Sequence, residues 1–167
     1  MNNELTKKDI EDMKAEIEHR TVVVRKELLE EVKRTRAFGD LSENFEYHAA
    51  KKAKNENESR IRYLDRMIRT ATIIEDATGK EEIGVNKTVR IRMEDDGAEQ
   101  TLTLVTTVRG DALKGLISVE SPLGKALMGH KTGEKVHVEV NPEIAYDVTI
   151  LSVEDADPGV DSPLKSY

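Results

Sequence analysis

The chain has no cysteine and no tryptophan. Without thiols there is no disulfide framework, no thiol nucleophile and no thiolate metal site. Four tyrosines and two phenylalanines are the only aromatics. Bulky rings that anchor compact cores are therefore scarce, and part of the 167 residues is expected to be elongated, with a thin core and much solvated surface. There is no signal-like apolar start and no long uncharged apolar run, so the expectation is a soluble, cytoplasmic protein that makes no membrane contact. His19, His48, His130 and His137 lack zinc-ligand spacing, and no protein-held zinc site is expected. Residues 77–167 hold 10 Lys+Arg against 16 Asp+Glu and so carry −6 of the net −7. An acidic chain does not reach nucleic acid through its overall field, so any RNA contact has to be local.

Glycine and proline inform most where they are missing. From Lys7 to Phe38 neither occurs, and Thr6-Lys7-Lys8-Asp9 offers a helix start. An apolar stripe through Ile10, Met13, Ile17, Thr21, Val24, Leu28 and Val32 keeps the period of one straight helix. A second Gly- and Pro-free run, from Ser42 to Ile74, carries a seam at Tyr47, Ala50, Ile61, Leu64, Ile68 and Ala71. Lys54 and Asn57 interrupt that seam, which reads as a part of the structure built to be exposed. Two helices of this length, at about 1.5 Å per residue, give an antiparallel coiled-coil arm of roughly 48 Å over residues 1–76, with its tip at 39–44.

Residues 77–84 have linker composition. The period then changes to two, in Val89, Ile91 and Met93, in Leu102 and Leu104, in Val136, Val138 and Val140, and in Tyr146, Val148 and Ile150. Asp95-Asp96-Gly97 marks a hairpin turn, Leu116–Glu120 another strand, and Ser121-Pro122 the start of a brief helix ending at Gly129. The fold class is α+β in two domains: the helical hairpin, then a small antiparallel sheet with one short helix over 85–154. Residues 155–167 read as a disordered tail.

At the tip, Gly39 can end a helix in the left-handed conformation, and Asp40 and Ser42 can cap the next one. Asp40 and Glu43 support two readings. As a capping box they are structural. As two carboxylates at a helix start they form a ligand pair for a hard cation, too few to hold Mg²⁺ alone. Lys33, Arg34 and Arg36 approach the tip, and Lys51, Lys52 and Lys54 leave it. They read either as a solvated face or as contacts to RNA phosphates. Tyr47 fits both the seam and a stacking role, and His48 reads as solvated.

The string Gly39-Asp40-Leu41-Ser42-Glu43-Asn44, followed by Glu46-Tyr47-His48-Ala49-Ala50, resembles the signature of the bacterial Gre transcript cleavage and elongation factor family, GreA type. Ser121-Pro122-Leu123-Gly124-Lys125-Ala126-Leu127-Met128-Gly129 resembles the family's C-terminal segment. The likeness runs from about Leu5 to Glu154. It implies an FKBP-like C-terminal domain that docks at the rim of the RNA polymerase secondary channel, and an arm whose tip enters that channel. Asp40 and Glu43 would then share a Mg²⁺ with the polymerase active centre and promote cleavage of the backtracked RNA 3′ end. Asn44 and Tyr47 would support the tip, with Lys33, Arg34, Arg36, Lys51 and Lys52 as the RNA-contacting basic patch. The chain, expected to be a monomer, would be no enzyme by itself and would bind no metal stably alone. Phe45 departs from the small residue usual in the family. The competing expectation is a Gre-like inhibitor in the same channel. Prolyl isomerase activity is not expected, because Tyr146 is the one aromatic between Ile83 and Glu154 that could line such a pocket; a third reading is a purely structural coiled-coil adaptor, with the two acids as caps only.

Overall fold

A computed structural model describes residues 3–39, 44–75, 79, 81–156 and 163–166. The first Gly- and Pro-free run is helical in three parts: α1 (Lys7–His19), a π-helical turn (Arg20–Val24) and α2 (Arg25–Arg36). The second forms α3 (Phe45–Arg69), and a short strand before α1, β1 (Asn3–Leu5), pairs with one that follows α3, β2 (Ala71–Ile73). These two strands lie outside the helical pattern that extended the arm over residues 1–76. The chain divides into residues 8–71 and residues 1–7 with 72–166.

In the helical unit the first helix and α3 run antiparallel. As the first helix advances from Glu16 through Arg20 to Arg25 and Thr35, its polar partners on α3 and the residue before it step back from Arg60 to Asn57 or Glu58 and then Asn44. Two features correct the expected seam. The Arg25 N–H reaches back to the Arg20 carbonyl, so one turn holds an extra residue and the apolar stripe is rotated. Thr21 is exposed as a result, while Ile10, Met13, Ile17, Val24, Leu28 and Val32 keep their inward side. The interruption at Asn57 is not an exposed stretch either: Asn57 and Arg60 are buried. The Asn57 side chain accepts from Arg20 Nη1 at 3.0 Å and donates to the Arg20 carbonyl at 3.2 Å. Glu16 accepts from Arg60 Nε at 2.8 Å and from Arg20 Nε at 2.8 Å. Beside them Arg25 pairs bidentately with Glu58 at 2.7 and 2.9 Å. A buried polar layer thus sits against the π turn and fixes the register of the two helices.

Burial opposes the charge on Glu16, but hydrogen bonds from Arg60 and Arg20 outweigh it and hold the carboxyl below its ordinary value of 4.5. A lowered folded-state value means that this stabilisation is fully present above pH 4.5 and disappears as pH falls through the depressed value. Glu16→Ala is expected to cost the helical unit about 2 kcal/mol, below the range for a fully buried pair because the Glu16 side chain keeps 23% exposure. Thermal unfolding followed by circular dichroism from pH 6 to pH 2 checks both points. The gap between wild type and Glu16→Gln should close at the acid end.

The second unit carries a five-stranded sheet in the order β5-β4-β3-β7-β6, from β3 (Lys87–Met93), β4 (Glu99–Val105), β5 (Leu116–Ser118), β6 (Lys135–Asn141) and β7 (Ile144–Asp155). Alternation supplies its core: Val89, Ile91, Leu102, Leu104, Val136, Val138, Val148 and Ile150 are buried together with Leu127 of α4 (Pro122–Leu127). The β3–β4 hairpin turns where Asp95-Asp96-Gly97 placed it, with Gly97 at φ 72°. The sheet is not wholly antiparallel, because β4 and β5 pair in parallel. Ile83 and Val85 belong to its core, so the expected linker ends earlier than residue 84. Asp155 is the last residue of β7 and holds the buried Lys87 ammonium. Of the tail expected to be disordered, residues 155–156 and 163–166 are described, and the Lys165 N–H donates to the Val108 carbonyl at 2.7 Å.

Candidate functional site at the turn of the helical hairpin

α2 ends in a cluster of hydrogen bonds on one carbonyl. Thr35 O accepts from the Phe38 N–H at 3.1 Å and from Asn44 Nδ2 at 2.6 Å. Thr35 itself is fully buried, and its hydroxyl donates back to the Glu31 carbonyl at 2.9 Å. Asn44 Oδ1 meanwhile accepts from the Tyr47 N–H at 3.0 Å and caps α3. One amide therefore closes the turn from both sides, and α3 begins at Phe45 and not near Ser42. An Asp cap could accept from α3 but, as an acceptor-only carboxylate, could not also donate to α2. Gly39 takes φ +104°, and nothing lies within 4 Å of where its Cβ would stand, so conformation and not space asks for glycine. Asp40, Leu41, Ser42 and Glu43 lie outside the described residues.

The Asn44 amide thus makes one bond toward each helix, and its side chain supports the turn. Asn44→Ala removes a helix cap and leaves a carbonyl without its partner, and should cost the helical unit about 2 kcal/mol. Asn44→Asp keeps the cap but not the donor, so its melting temperature should fall between those of wild type and Asn44→Ala.

The basic residues are exposed, but only one has a described link across the turn. Arg34 donates to Glu31 at 3.0 and 2.5 Å and reaches Glu46 on α3 at 4.0 Å. Those bonds hold the Glu31 carboxyl below its ordinary value. The Arg34 guanidinium also lies over the Phe38 ring, 5.3 Å from its centroid. Lys33 and Arg36 are exposed beside it. Lys51 is exposed on α3, and Lys52 stands 3.9 Å from Glu56. Tyr47 is half-buried and meets the exposed His48 edge-on, at 5.5 Å between centroids, which favours its seam role. Sequence reasoning did not find the exposure of Phe38, at 56%, and took Phe45, 83% exposed, only as a departure from a pattern. The available signal was that both phenylalanines of the chain flank the turn.

The sheet unit has its own concavity, a groove of about 780 Å³ lined by Thr107, Glu120, Ser121, Lys125 and Met128 among others. Ser121 Oγ accepts from the Gly124 N–H at 3.0 Å and so caps α4 at its first turn. Thr107 Oγ1 donates to Glu120 at 2.6 Å on the groove wall. Among the described residues no group of three or more His, Cys, Asp or Glu is placed to hold a metal ion, and no helix is long and apolar enough to cross a membrane.

Residues 3–73 match the family model described as transcription elongation factor, N-terminal, and residues 78–155 match that for the GreA/GreB C-terminal region. The chain is 41% identical over 151 residues to a transcription elongation factor GreA from Streptococcus sanguinis, covering 90% of this chain and 94% of that protein. It is 42% identical to the GreA of Bacillus cytotoxicus, covering 89% and 94%. Among solved structures, GreA factor homolog 1 of Thermus thermophilus is 24% identical with a TM-score of 0.43, covering 92% of this chain and 99% of that one.

Proposed function

The chain belongs to the GreA/GreB family of transcription elongation factors, and from that membership we propose that it stimulates bacterial RNA polymerase to cleave the 3′ end of its own backtracked transcript. The turn of the hairpin carries this reading. Asp40 and Glu43 fall between Gly39 and Asn44, where the side chain of Asn44 ties the start of α3 to the end of α2. Arg34 and the exposed Lys33, Arg36, Lys51 and Lys52 surround the same end of the hairpin.

The donor set suits Mg²⁺ in kind but not in number, since two carboxylates fall well short of six oxygens. Asp40 and Glu43 would hold the ion only beside the polymerase's own ligands, so the chain contributes groups to another protein's active centre and has no hydrolytic activity alone. When bound there, Mg²⁺ supplies charge stabilisation and an activated water for phosphodiester hydrolysis. The hairpin brings the two acids through the secondary channel, while the basic residues bind phosphates of the displaced RNA and set its register. The sheet unit docks at the channel rim, and its groove beside Ser121 and Lys125 is a concave surface open to such a contact.

The test is a stalled, backtracked bacterial polymerase complex with end-labelled RNA in Mg²⁺ buffer. Adding the chain should shorten the transcript, and adding the Asp40→Asn, Glu43→Gln variant should not. Slowed RNA synthesis with no shortening by the wild type would reject cleavage stimulation and identify an inhibitor of the channel.

A further inference from the structure

The chain has two phenylalanines, and neither is in a core. Phe38 follows α2 with 56% of its surface exposed, and Phe45 opens α3 with 83% exposed. Both border the turn, whose two sides are tied by one carbonyl: Thr35 O accepts the Phe38 N–H and the side chain of Asn44, the residue before Phe45. The two rings are not equivalent. The Arg34 guanidinium already covers a face of Phe38 at 5.3 Å, whereas Phe45 is open. Around them stand the cations Lys33, Arg34, Arg36, Lys51 and Lys52, all exposed.

We propose that the open ring of Phe45 is a stacking platform for an unpaired base of the extruded RNA 3′ segment, an inference that rests on the function given above. Open aromatic faces interleaved with cations are how proteins hold single-stranded nucleic acid without reading its sequence: rings take the bases and Lys/Arg take the phosphates. A protein surface is the less fitting occupant, because an apolar contact does not call for the exposed cations Lys33, Arg36 and Lys51 at the same end of the hairpin. Stacking would hold the nucleotide and take no part in the bond cleavage, so Phe45 is a positioning residue and not a catalytic one.

The measurement uses a backtracked polymerase complex with 2-aminopurine as the extruded 3′ base, whose fluorescence falls on stacking. The Asp40→Asn, Glu43→Gln variant is titrated in so that the RNA stays whole. Quenching is expected. Adding Phe45→Ala should raise the concentration for half-maximal quenching about tenfold, within what one base–aromatic stack contributes, and Phe45→Tyr should restore it. Phe45 is exposed and alanine favours helices, so the variant should fold. Circular dichroism checks that. Quenching that is absent, or unchanged by Phe45→Ala, overturns the proposal even if the wild type cleaves RNA. Phe45-dependent quenching without wild-type cleavage would uphold the stack and reject cleavage stimulation alone.

Discussion

The Asp40→Asn, Glu43→Gln double variant is expected to bind bacterial RNA polymerase as the wild type does and to lose at least about 100-fold in stimulated cleavage. That is the upper end of the loss from removing a group one step away from a metal, and these two would touch it. Asn and Gln keep the size and polarity of the acids and remove only two negative charges. The described ties that close the turn run through Thr35, Asn44 and Tyr47 and are untouched by the change. If the acids were only caps, Asn would serve at a helix start as well as Asp, and the variant would work. The two roles therefore predict opposite outcomes from one protein. A single-turnover cleavage time course gives the activity, and competition for polymerase against labelled wild type gives the binding. Cleavage at the wild-type rate would reduce Asp40 and Glu43 to structural residues.

What could be read in advance follows the range of each interaction. Short-range patterns were legible. Alternation marked Val89, Ile91, Leu102 and Leu104 on two strands of a hairpin, and all four are buried, with Val89 facing Leu102. The absence of Gly and Pro placed both helices, and Asp95-Asp96-Gly97 placed the turn. Features that depend on a partner distant in sequence were not legible. A π turn leaves no periodic mark when it shifts a stripe by a single residue, so Thr21 looked like seam. Asn57 looked like a gap because its role exists only once Arg20 lies opposite it, 37 positions away in the chain. The parallel β4–β5 pair is set by tertiary placement, and alternation is blind to strand direction. At the candidate site the run of residue types pointed to Asp40 and Glu43, but the double use of the Asn44 amide could be seen only with Thr35 in place.

Gly124→Ala is expected to be the most damaging single substitution in the sheet unit, at about 3 kcal/mol or more, at or above the usual upper end for overpacking. A Cβ on Gly124 would stand 2.1 Å from the Ser118 carbonyl oxygen and 3.0 Å from both its carbon and Ser121 Oγ. The obstacle is backbone, so no rotamer change relieves it. Nor can that carbonyl retreat cheaply, because it also accepts from Ser121 Oγ at 2.7 Å and from the Ser121 N–H at 3.1 Å. Pushing it away undoes the cap of α4 and shifts Leu127, which is fully buried in the core. For a unit of this size the loss corresponds to a fall in melting temperature of roughly 10–20 °C. Ser121→Ala removes the cap without the collision and should cost only about 1 kcal/mol. Amide NMR signals of the β-strands follow the sheet unit, while the circular dichroism signal at 222 nm is dominated by the helices. Equal losses in the two variants would mean that the cap and not the close approach sets the requirement for glycine. A larger loss in Gly124→Ala assigns the Ser-Pro-Leu-Gly run to packing. Reduced polymerase binding by that variant would then report a misfolded dock and not a missing contact.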